Sequence, residues 1–462
     1  MLPGPTDWPS PPPDVGSWTG WEMPSRYFWA QNNLYFLSRK RPLQVTGFPI
    51  FLTHQATDSN NVIHVRMQWN AGEGWESATI PLPDLYKAVP KALLASGMPL
   101  AKVDLTKRFL VEWYLKNSER LLPMPLVTQG GWMDPDHFVW GHTVLSRDRC
   151  VHPHAVDITT PPFKRWMEFQ PVHPQATAAE WAWWQKDVLP QAPHLVLGLG
   201  VIGAALLLHL VDQPGFLFHI VDDTSTGKTT SFFLLASILG NPHKSEGLIQ
   251  PWNLRQKDLI RWIYWMRDSV WFIDDATPAT STFQPKAYLM ADGNTPGYPE
   301  GTRGVILSSS EHYPSPHGGV AARTILWPES LLPFGVPVEA WRHHVFDHPE
   351  TWGWGWPYLM DQVWAKTPAQ WQWMWRTHNV ERESGVAQRW QNHWNLLWCG
   401  IHVWFPFDSG WVGYFQKLEH DWWDMYASDK RYLRNRVRGR FGPDVASRTG
   451  SSEVGSGGST SP

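Results

Sequence analysis

The stretch that decides the fold is FLFHIVDDTSTGKTTSFFLLASILG, from Phe216 to Gly240. Its first part, Phe216 to Val221, is apolar and predicts a buried strand. A loop of small and polar residues follows and ends in Gly227-Lys228-Thr229, and the remainder has the apolar spacing of a helix. Strand, loop and helix in this order are typical of a phosphate-binding loop, in which loop N–H groups and the helix N-terminus hold phosphate oxygens. We therefore predict that this segment binds a nucleotide.

Two loop residues have predicted roles of their own. Lys228 is placed to reach the β and γ phosphates of ATP, and the Thr229 hydroxyl is placed to bind Mg²⁺. ATP and Mg²⁺ are thus the expected cofactors. The predicted nucleotide-binding residues are Thr224, Ser225, Thr226, Gly227, Lys228, Thr229 and Thr230.

The loop departs from the usual motif at its first position, where Asp222 replaces glycine and Asp223 follows. Two carboxylates beside a triphosphate repel it unless they turn outward or cap the loop. The sequence leaves these arrangements open. We expect Asp222→Gly to tighten nucleotide binding, because it removes a carboxylate near the phosphates, and a weaker affinity would instead show that Asp222 caps the loop.

A second apolar run, Val270 to Ile273, predicts another strand and is followed by Asp274 and Asp275. Acids at the end of a strand beside a phosphate loop suit a magnesium site. We expect Asp274 to hold the metal, directly or through water, and Asp275 to polarise the attacking water. The alternative is an ordinary pair of turn-capping aspartates after a buried strand.

A third strand is predicted within RGVILSSSEHY, from Arg303 to Tyr313, and it ends in serines. If this strand lies beside the second one, Ser309 or a neighbouring serine could sense the γ phosphate, although serines are also common turn residues. Arg323 opens a further apolar strand. An arginine there could reach a γ phosphate bound by a neighbouring subunit, and its alternative role is a surface ion pair.

The pattern along the chain predicts an α/β fold class, because helical and strand-like segments alternate from about Ala178 to Pro328. We predict five segments: a flexible Pro- and Trp-rich arm (1–30), a small N-terminal α+β domain (31–165), a phosphate-loop ATPase core (170–330), a Trp-rich helical C-terminal domain (331–444) and a disordered tail (445–462).

Composition excludes several classes of protein. Charged residues make up 18% of the 462 residues and the formal net charge is −3, which excludes a disordered polyelectrolyte and a globally basic nucleic-acid binder. The two cysteines, Cys150 and Cys399, lie far apart, so they build neither a disulfide framework nor a cysteine zinc site. The beginning of the chain lacks a secretory signal pattern, and we expect a cytoplasmic protein.

The apolar stretch from Leu195 to Val211 could be a membrane-spanning helix or a buried helix of a soluble domain. It falls just short of the roughly 20 residues that span a bilayer, and it contains glycines and a histidine. It leads directly into the phosphate loop, which must sit in a soluble domain. We therefore predict a buried helix, with a membrane span as the alternative.

Three further patterns allow two interpretations each. His343 to Glu350 is rich in histidine and acid, which suits a metal site or a solvated turn. Asp429 to Arg440 is the strongest basic patch and could grip nucleic-acid phosphates or form a solvated terminal helix. The chain has 33 tryptophans, including Trp371, Trp373 and Trp375, which suit helix packing or stacking on bases.

Taken in order, these motifs resemble a family of phage-, plasmid- and cassette-borne P-loop ATPases catalogued as a domain of unknown function and related to ring-forming, MCM-like replicative helicases of the AAA+ class. The resemblance runs from about Leu43 to about Trp404. Its marks are Gly130-Gly131-Trp132 with Phe138, the DTSTGKTT loop, NLRQKDL ahead of VWFIDD, AYLMADGN (Ala287 to Asn294), the strand ending SSSE, and Arg323 before an apolar run.

The resemblance implies an AAA+-type ATP-hydrolysing DNA motor, a helicase for replication of a mobile element. The implied partners are single-stranded or forked DNA, further copies of the chain in a hexameric ring, and a separate primase or loader, without a membrane. The implied catalytic residues are Lys228, Asp274, Asp275, Ser309 and Arg323, with Thr229 and Asp274 at the metal. The alternatives are a nucleotide-dependent DNA-binding or regulatory ATPase that does not unwind DNA, and a membrane-anchored assembly ATPase.

Overall fold

The computed structural model divides the chain into two compact units, one formed mainly by residues up to Pro171 and the other mainly by residues from Val172. Two short segments, Glu246–Leu248 and Tyr264–Arg267, belong to the first unit. The described residues are 8–39, 41–57, 61–70, 72, 74–87, 93, 100–124, 126–127, 130–141, 143–147, 152–153, 155–156, 174–223, 226–244, 246–276, 283–292, 303–311, 318–382, 385–407 and 409–428.

Within its described residues, the first unit is an α+β arrangement of strands of up to eight residues and a long helix. Its elements are β1 (Tyr27–Ala30), β2 (Asn33–Leu37), β3 (Pro42–Thr46), β4 (Ile50–Thr57), β5 (Ile63–Asn70), β6 (Trp75–Pro81), α1 (Leu82–Lys87), α2 (Val103–Asn117), β7 (Leu122–Pro123), β8 (Leu126–Val127), β9 (Gly131–Asp134), β10 (His137–Trp140), β11 (Thr143–Ser146), β12 (His152–Pro153) and β13 (Ala155–Val156). They form sheets in the orders β1-β2-β3, β6-β5-β4-β7, β12-β11-β10-β9 and β13-β8.

Residues 8–30 belong to the first unit, and several of their aromatic side chains pack against its core. Trp21 stacks on Trp113 of α2 with ring centroids 5.6 Å apart. The ring centroids of Trp18 and of Phe51 on β4 are 4.2 Å apart. Residues 8–26 form no helix or strand, and burial of their aromatic rings supplies apolar contact area without regular structure, whereas Tyr27–Ala30 form β1.

The second unit contains the remaining elements. They are α3 (Pro174–Trp183), a π-helical turn (Trp184–Val188), α4 (Leu195–Leu207), β14 (Phe216–Val221), α5 (Lys228–Ser237), β15 (Ile249–Pro251), α6 (Gln256–Trp265), β16 (Ser269–Ala276), α7 (Phe283–Asp292), β17 (Gly304–Ser310), α8 (Gly318–Ala322), β18 (Thr324–Trp327), α9 (Val338–Asp347), α10 (Gly355–Trp364), α11 (Pro368–Thr377), α12 (Gly385–Trp404) and α13 (Gly410–Ser428). Only the last two residues of α6 fall in the first unit.

The centre of the second unit is a five-stranded sheet in the order β15-β16-β17-β14-β18, in which all neighbouring strands are parallel. The predicted α/β fold with a parallel sheet is therefore confirmed. The serine-ended strand β17 lies directly beside β16, which meets the condition under which Ser309 could act at the site, and it separates β16 from β14. Because the carboxyl ends of parallel strands share one edge, the segments that follow β14, β16 and β17 emerge together.

Helix α4 is buried over its full length, as predicted for the apolar stretch before the phosphate loop. Helix α12 crosses it closely: a Cβ added to Gly203 would lie 2.2 Å from the Gly400 carbonyl oxygen. Glycine at both positions is what allows the two backbones to touch. Among the helices of the described residues, none has the length and apolar character needed to cross a membrane.

The described helices that follow residue 331 belong to the same compact unit as the sheet. Several tryptophans join them to the α/β elements through indole N–H groups that donate to backbone carbonyl oxygens. Trp404 donates to Leu199 of α4, and Trp422 donates to Leu326 of β18, each at 2.8 Å. Much of the high tryptophan content therefore serves packing.

Candidate nucleotide site

The predicted phosphate loop connects the carboxyl end of β14 to the first residue of α5. Gly227 caps α5 in the left-handed conformation with φ +90°, and a Cβ there would lie 3.2 Å from the Leu332 side chain. Both the backbone angle and the crowding favour glycine. The first backbone N–H groups of α5 have no acceptor within the helix. They face the loop and can therefore donate to an anion bound there.

Lys228 folds back over the loop. Its Nζ donates to the carbonyl oxygens of Asp222 (2.7 Å) and Asp223 (2.5 Å) and lies 3.4 Å from the Thr226 hydroxyl. Burial lowers the pKa of Lys228 below its ordinary value, and the nearby carboxylates, those of Asp222 and Glu311 foremost, oppose this effect. The ammonium is thus held within the loop by neutral oxygens that a phosphate can replace.

Asp274 of β16 is the centre of the site and is almost completely buried. The Thr229 hydroxyl donates to its Oδ2 at 2.9 Å, the Ser309 hydroxyl donates to its Oδ1, and Lys244 Nζ lies 2.6 Å from Oδ2. Burial by itself would raise the pKa of Asp274, but these three hydrogen bonds and the positive charge of Lys244 outweigh it and hold the pKa below its ordinary value. Asp274 is therefore an ionised carboxylate.

The Asp222 carboxylate caps the loop. Its Oδ1 accepts the Asp223 backbone N–H and its Oδ2 accepts the Ser330 backbone N–H, each at 2.8 Å. Of the arrangements that the sequence left open, the structure shows the cap. The aspartate in place of the usual glycine thus ties the start of the loop to the segment after β18.

The predicted site residues divide into three groups. Those brought together are Lys228 and Thr229 at the start of α5, Asp274 on β16 and Ser309 on β17, with Thr226, Gly227 and Thr230 in or beside the loop. Outside the described residues lie Thr224, Ser225 and the side chain of Asp275.

Arg323 forms the third group, because it lies away from the loop. Its backbone carbonyl accepts the N–H of Leu217 near the start of β14, and its guanidinium donates to the Gly319 carbonyl oxygen at 3.0 Å. The phosphate loop follows the other end of β14, about 15 Å away at roughly 3.3 Å per residue. Arg323 therefore lies at the amino edge of the sheet, opposite the carboxyl edge that carries Asp274.

Sequence reasoning missed two features of the site. Lys244 lies in the connection between α5 and β15, where no local pattern marks it. His219 on β14 is fully buried and its ring nitrogens lie 2.9 Å from the hydroxyls of Ser308 and Ser310 on β17, which flank the serine that binds Asp274. A histidine inside an apolar strand was a usable signal, since a buried polar group requires partners. Burial lowers the pKa of His219 to about 3.

The remaining sequence expectations have separate outcomes. No group of three or more histidine, cysteine or acidic residues in the described part of the chain could hold a metal ion, so the His343 to Glu350 segment is not a metal site of that kind. Trp371 is buried against the helical core, whereas the Trp373 side chain is mostly exposed. The basic segment from Asp429 to Arg440 lies outside the described residues.

The donor set fits a magnesium nucleotide. A hydroxyl and an ionised carboxylate are the hard oxygen ligands that Mg²⁺ prefers, directly or through water, and here they are provided by Thr229 and Asp274. The helix N-terminus and the ammonium of Lys228 suit phosphate oxygens.

The fold is a mixed α/β arrangement with a parallel sheet, and the candidate site lies at the carboxyl ends of its strands. The chain belongs to the family Domain of unknown function (DUF927), whose model matches residues 42–296. This match confirms the family resemblance inferred from the motifs.

Solved structures extend the likeness beyond the matched family segment. The structure of SCCmec type IV Cch, described as an active helicase, has a TM-score of 0.65 at 16% sequence identity and covers 87% of this chain and 78% of its own. At this identity the likeness establishes the fold. An inhibitor-bound JCV helicase has 10% identity and covers 49% of this chain and 74% of its own, but its TM-score of 0.21 supports no argument. No curated protein sequence matches the chain significantly.

Proposed function

We propose that the protein is an ATP-hydrolysing DNA motor, a ring-forming helicase that serves the replication of a phage, plasmid or other mobile element. The observation that carries the proposal is the placement of Asp274 and Ser309 beside the Thr229 end of the phosphate loop. The helicase-like fold supports it. Thr229, Asp274 and Ser309 come from three segments far apart in the sequence and meet in one place. Together they have the functional groups that phosphoryl transfer requires.

The proposal includes a P-loop AAA+ type of core. The strand order supports this assignment, because β17 with Ser309 lies between the loop-bearing β14 and the acid-bearing β16. Because Ser309 is on the strand between these two, it can contact both Asp274 and a γ phosphate held by the loop.

Each residue has a distinct role in the proposed reaction. Thr229 and Asp274 would hold Mg²⁺, which when bound neutralises charge that develops on the transferred phosphoryl group. Lys228 would exchange the carbonyl oxygens of its own loop for the β and γ phosphates. Asp275, next to Asp274 in sequence, would polarise the attacking water.

Arg323 would act on a neighbouring copy of the chain. Its place at the amino edge of the sheet is too far from its own loop for direct contact. A head-to-tail ring in which each amino edge faces the next carboxyl edge would bring Arg323 to the neighbour's γ phosphate. ATP hydrolysis between subunits would then move single-stranded or forked DNA through the ring, with a separate primase or loader.

The test is ATP hydrolysis with and without single-stranded DNA, together with strand separation on a forked DNA. We expect Lys228→Ala to abolish both activities and to keep the circular dichroism spectrum of the wild type, because Lys228 acts on phosphate charge. Lys257→Ala, which removes an exposed lysine from α6, is the matched control and should keep both activities.

Three results would change the proposal. Unchanged turnover in Lys228→Ala would overturn the nucleotide site. Hydrolysis that is stimulated by DNA without strand separation would replace the helicase by a DNA-binding or regulatory ATPase. Hydrolysis that is indifferent to DNA would remove the DNA motor altogether.

A further inference from the structure

Lys244 occupies one of the acceptor positions of the proposed metal carboxylate. Its Nζ lies 2.6 Å from Oδ2 of Asp274, the same oxygen that accepts the Thr229 hydroxyl. Ser309 donates to the other oxygen, Oδ1. A carboxylate oxygen has about two acceptor positions, so Thr229 and Lys244 together fill those of Oδ2.

The two groups on Oδ2 differ in whether a metal can bind beside them. The Thr229 hydroxyl donates its proton to Asp274 and keeps its lone pairs for another ligand, so its present bond is compatible with Mg²⁺ at the Thr229 oxygen. The ammonium of Lys244 has no lone pair and carries a positive charge. A divalent cation within about 4 Å of it would be repelled strongly in a buried site. A water on the metal that donates to Oδ2 would require the same acceptor position.

We propose that Lys244 is the counter-ion of Asp274 in the nucleotide-free protein and that it is displaced when a divalent cation binds with the nucleotide. This inference rests on the proposed function, since it assigns a regulatory step to the same site. Before binding, the ammonium keeps the buried carboxylate ionised and holds it where Thr229 and Ser309 meet it. On binding, one positive group replaces another, so Asp274 is never buried without a partner.

The surroundings of Lys244 suit such an exchange. The Lys244 side chain is 39% exposed, whereas that of Asp274 is 3% exposed, so the lysine can swing into water and the aspartate cannot. The Lys244 backbone is paired with Ile249 at the start of β15, which leaves the long side chain as the moving part. The exchange needs no change in the sheet.

The first test measures how much Mg²⁺ is needed for binding of a fluorescent ADP analogue. Lys244→Met keeps the length of the side chain and removes its charge, so the Mg²⁺ concentration for half-maximal binding should fall by about fivefold or more, the size of one charge-assisted contact at a partly exposed pair. Lys244→Arg keeps the charge and should stay near the wild type. Lys257→Met makes the same change of net charge on α6 and should have no effect.

The second test uses the wild type and does not depend on a variant. Lys244 is acylated with an amine-reactive reagent, and its labelling is measured by mass spectrometry in ADP with Mg²⁺ and in ADP with a chelator. Labelling should rise in the presence of Mg²⁺, because displacement frees the amine, while labelling of Lys257 stays constant. If Lys244→Met does not fold, the labelling of the wild type alone tests whether Lys244 is displaced.

The outcomes separate this inference from the function on which it rests. If the wild type fails to bind the ADP analogue at any Mg²⁺ concentration, the proposed nucleotide site and this inference both fail. If the wild type binds but Lys244→Met needs as much Mg²⁺ or more, or if labelling of Lys244 stays constant or falls, the counter-ion role alone is overturned.

Discussion

At the scale of single residues, Asp222 shows how a departure from a motif can be accommodated. A carboxylate at the first position of a phosphate loop would repel a triphosphate if it faced the site. Its two oxygens instead accept the backbone N–H groups of Asp223 and Ser330. The side chain thus gives the loop two hydrogen bonds that glycine could not supply.

We expect Asp222→Ala to weaken nucleotide binding by roughly tenfold, since loss of a capping side chain costs about 1–2 kcal/mol. This is the opposite of the tightening that the sequence predicted for loss of the Asp222 carboxylate, because the structure shows that carboxylate capping the loop. Asp222→Asn, which keeps a side-chain acceptor, should lie between Ala and the wild type. The measurement is a titration with a fluorescent ATP analogue.

Asp223→Ala is the matched control, because it removes the same charge from the same loop at an exposed position. It should leave binding unchanged or slightly tighter. If Asp222→Ala tightens binding as well, charge rather than capping governs the loop and our interpretation of Asp222 is wrong.

At the scale of elements, the crossing of α4 and α12 depends on glycine. A Cβ on Gly203 would meet the backbone of Gly400, and a Cβ on Gly400 would lie 2.1 Å from the Gly200 carbonyl oxygen. Backbone atoms cannot turn aside as flexible side chains do. The two helices can therefore pack at this distance only without side chains at the crossing.

Gly203→Ala should lower the free energy of unfolding by about 1–3 kcal/mol or more through overpacking. Gly413→Ala in α13 is the control, since a Cβ there meets nothing within 4 Å, and it should be neutral or stabilise the helix by up to about 1 kcal/mol. Urea unfolding followed by far-ultraviolet circular dichroism measures both. Equal effects of the two substitutions would show that the crossing tolerates a methyl group.

The elements that sequence could predict are those with a strong local pattern. Strand β14, helix α5 and strand β16 follow from apolar runs joined to short motifs, whereas the position of β17 between β16 and β14 is set by the sheet topology and was only assumed from the sequence. The contact of Lys244 with Asp274 could not be predicted, because it depends on the path of an irregular connection. The packing of residues 8–26 could not be predicted for a related reason: aromatic burial without periodicity resembles a loose segment in sequence.

At the scale of the whole molecule, the two groups proposed to complete one active site lie at opposite edges of the sheet. Arg323 precedes β18 at the amino edge, and Lys228 follows β14 at the carboxyl edge. A single copy cannot bring them together, so hydrolysis should depend on assembly. This arrangement makes a complementation experiment informative.

Arg323→Ala should bind ATP nearly normally and lose turnover by about three orders of magnitude, the scale of arginine fingers. A mixture of Arg323→Ala and Lys228→Ala should regain partial activity, because some interfaces pair an intact loop with an intact arginine. ATPase assays on mixtures at varied ratio measure this. If the mixed subunits co-assemble but the mixture has no ATPase activity, Arg323 does not act on a neighbouring subunit. Full turnover by Arg323→Ala alone would lead to the same conclusion.

Buried histidines link the stability of the second unit to pH. Burial lowers the pKa of both His219 and His393 to about 3, against about 6.5 in an unfolded chain. Below pH 6.5 the unfolded state therefore binds more protons than the folded state. The free energy of unfolding should decrease as the pH is lowered from about 6.5 to about 3. The slope is at most about 1.4 kcal/mol per pH unit for each histidine.

His393→Phe should make this slope shallower, because it removes one titrating group and keeps a ring that can stack on Phe216, whose centroid lies 4.6 Å from that of His393. Urea unfolding at pH 7.5, 6 and 5 measures the slope. Parallel curves for the wild type and the variant would show that His393 does not contribute.

The burial of α4 also bears on how the chain is made. Its 13 residues are buried on every side, and part of their cover comes from α12, whose Trp404 bonds to Leu199 across 205 positions of sequence. At roughly 5–20 residues per second, a ribosome needs about 10–40 seconds after α4 to synthesise that cover. During this interval the helix presents a nascent apolar surface that chaperones or membranes can capture. Fragments that end before Gly385 would keep it uncovered permanently, so recombinant truncations there should accumulate in inclusion bodies.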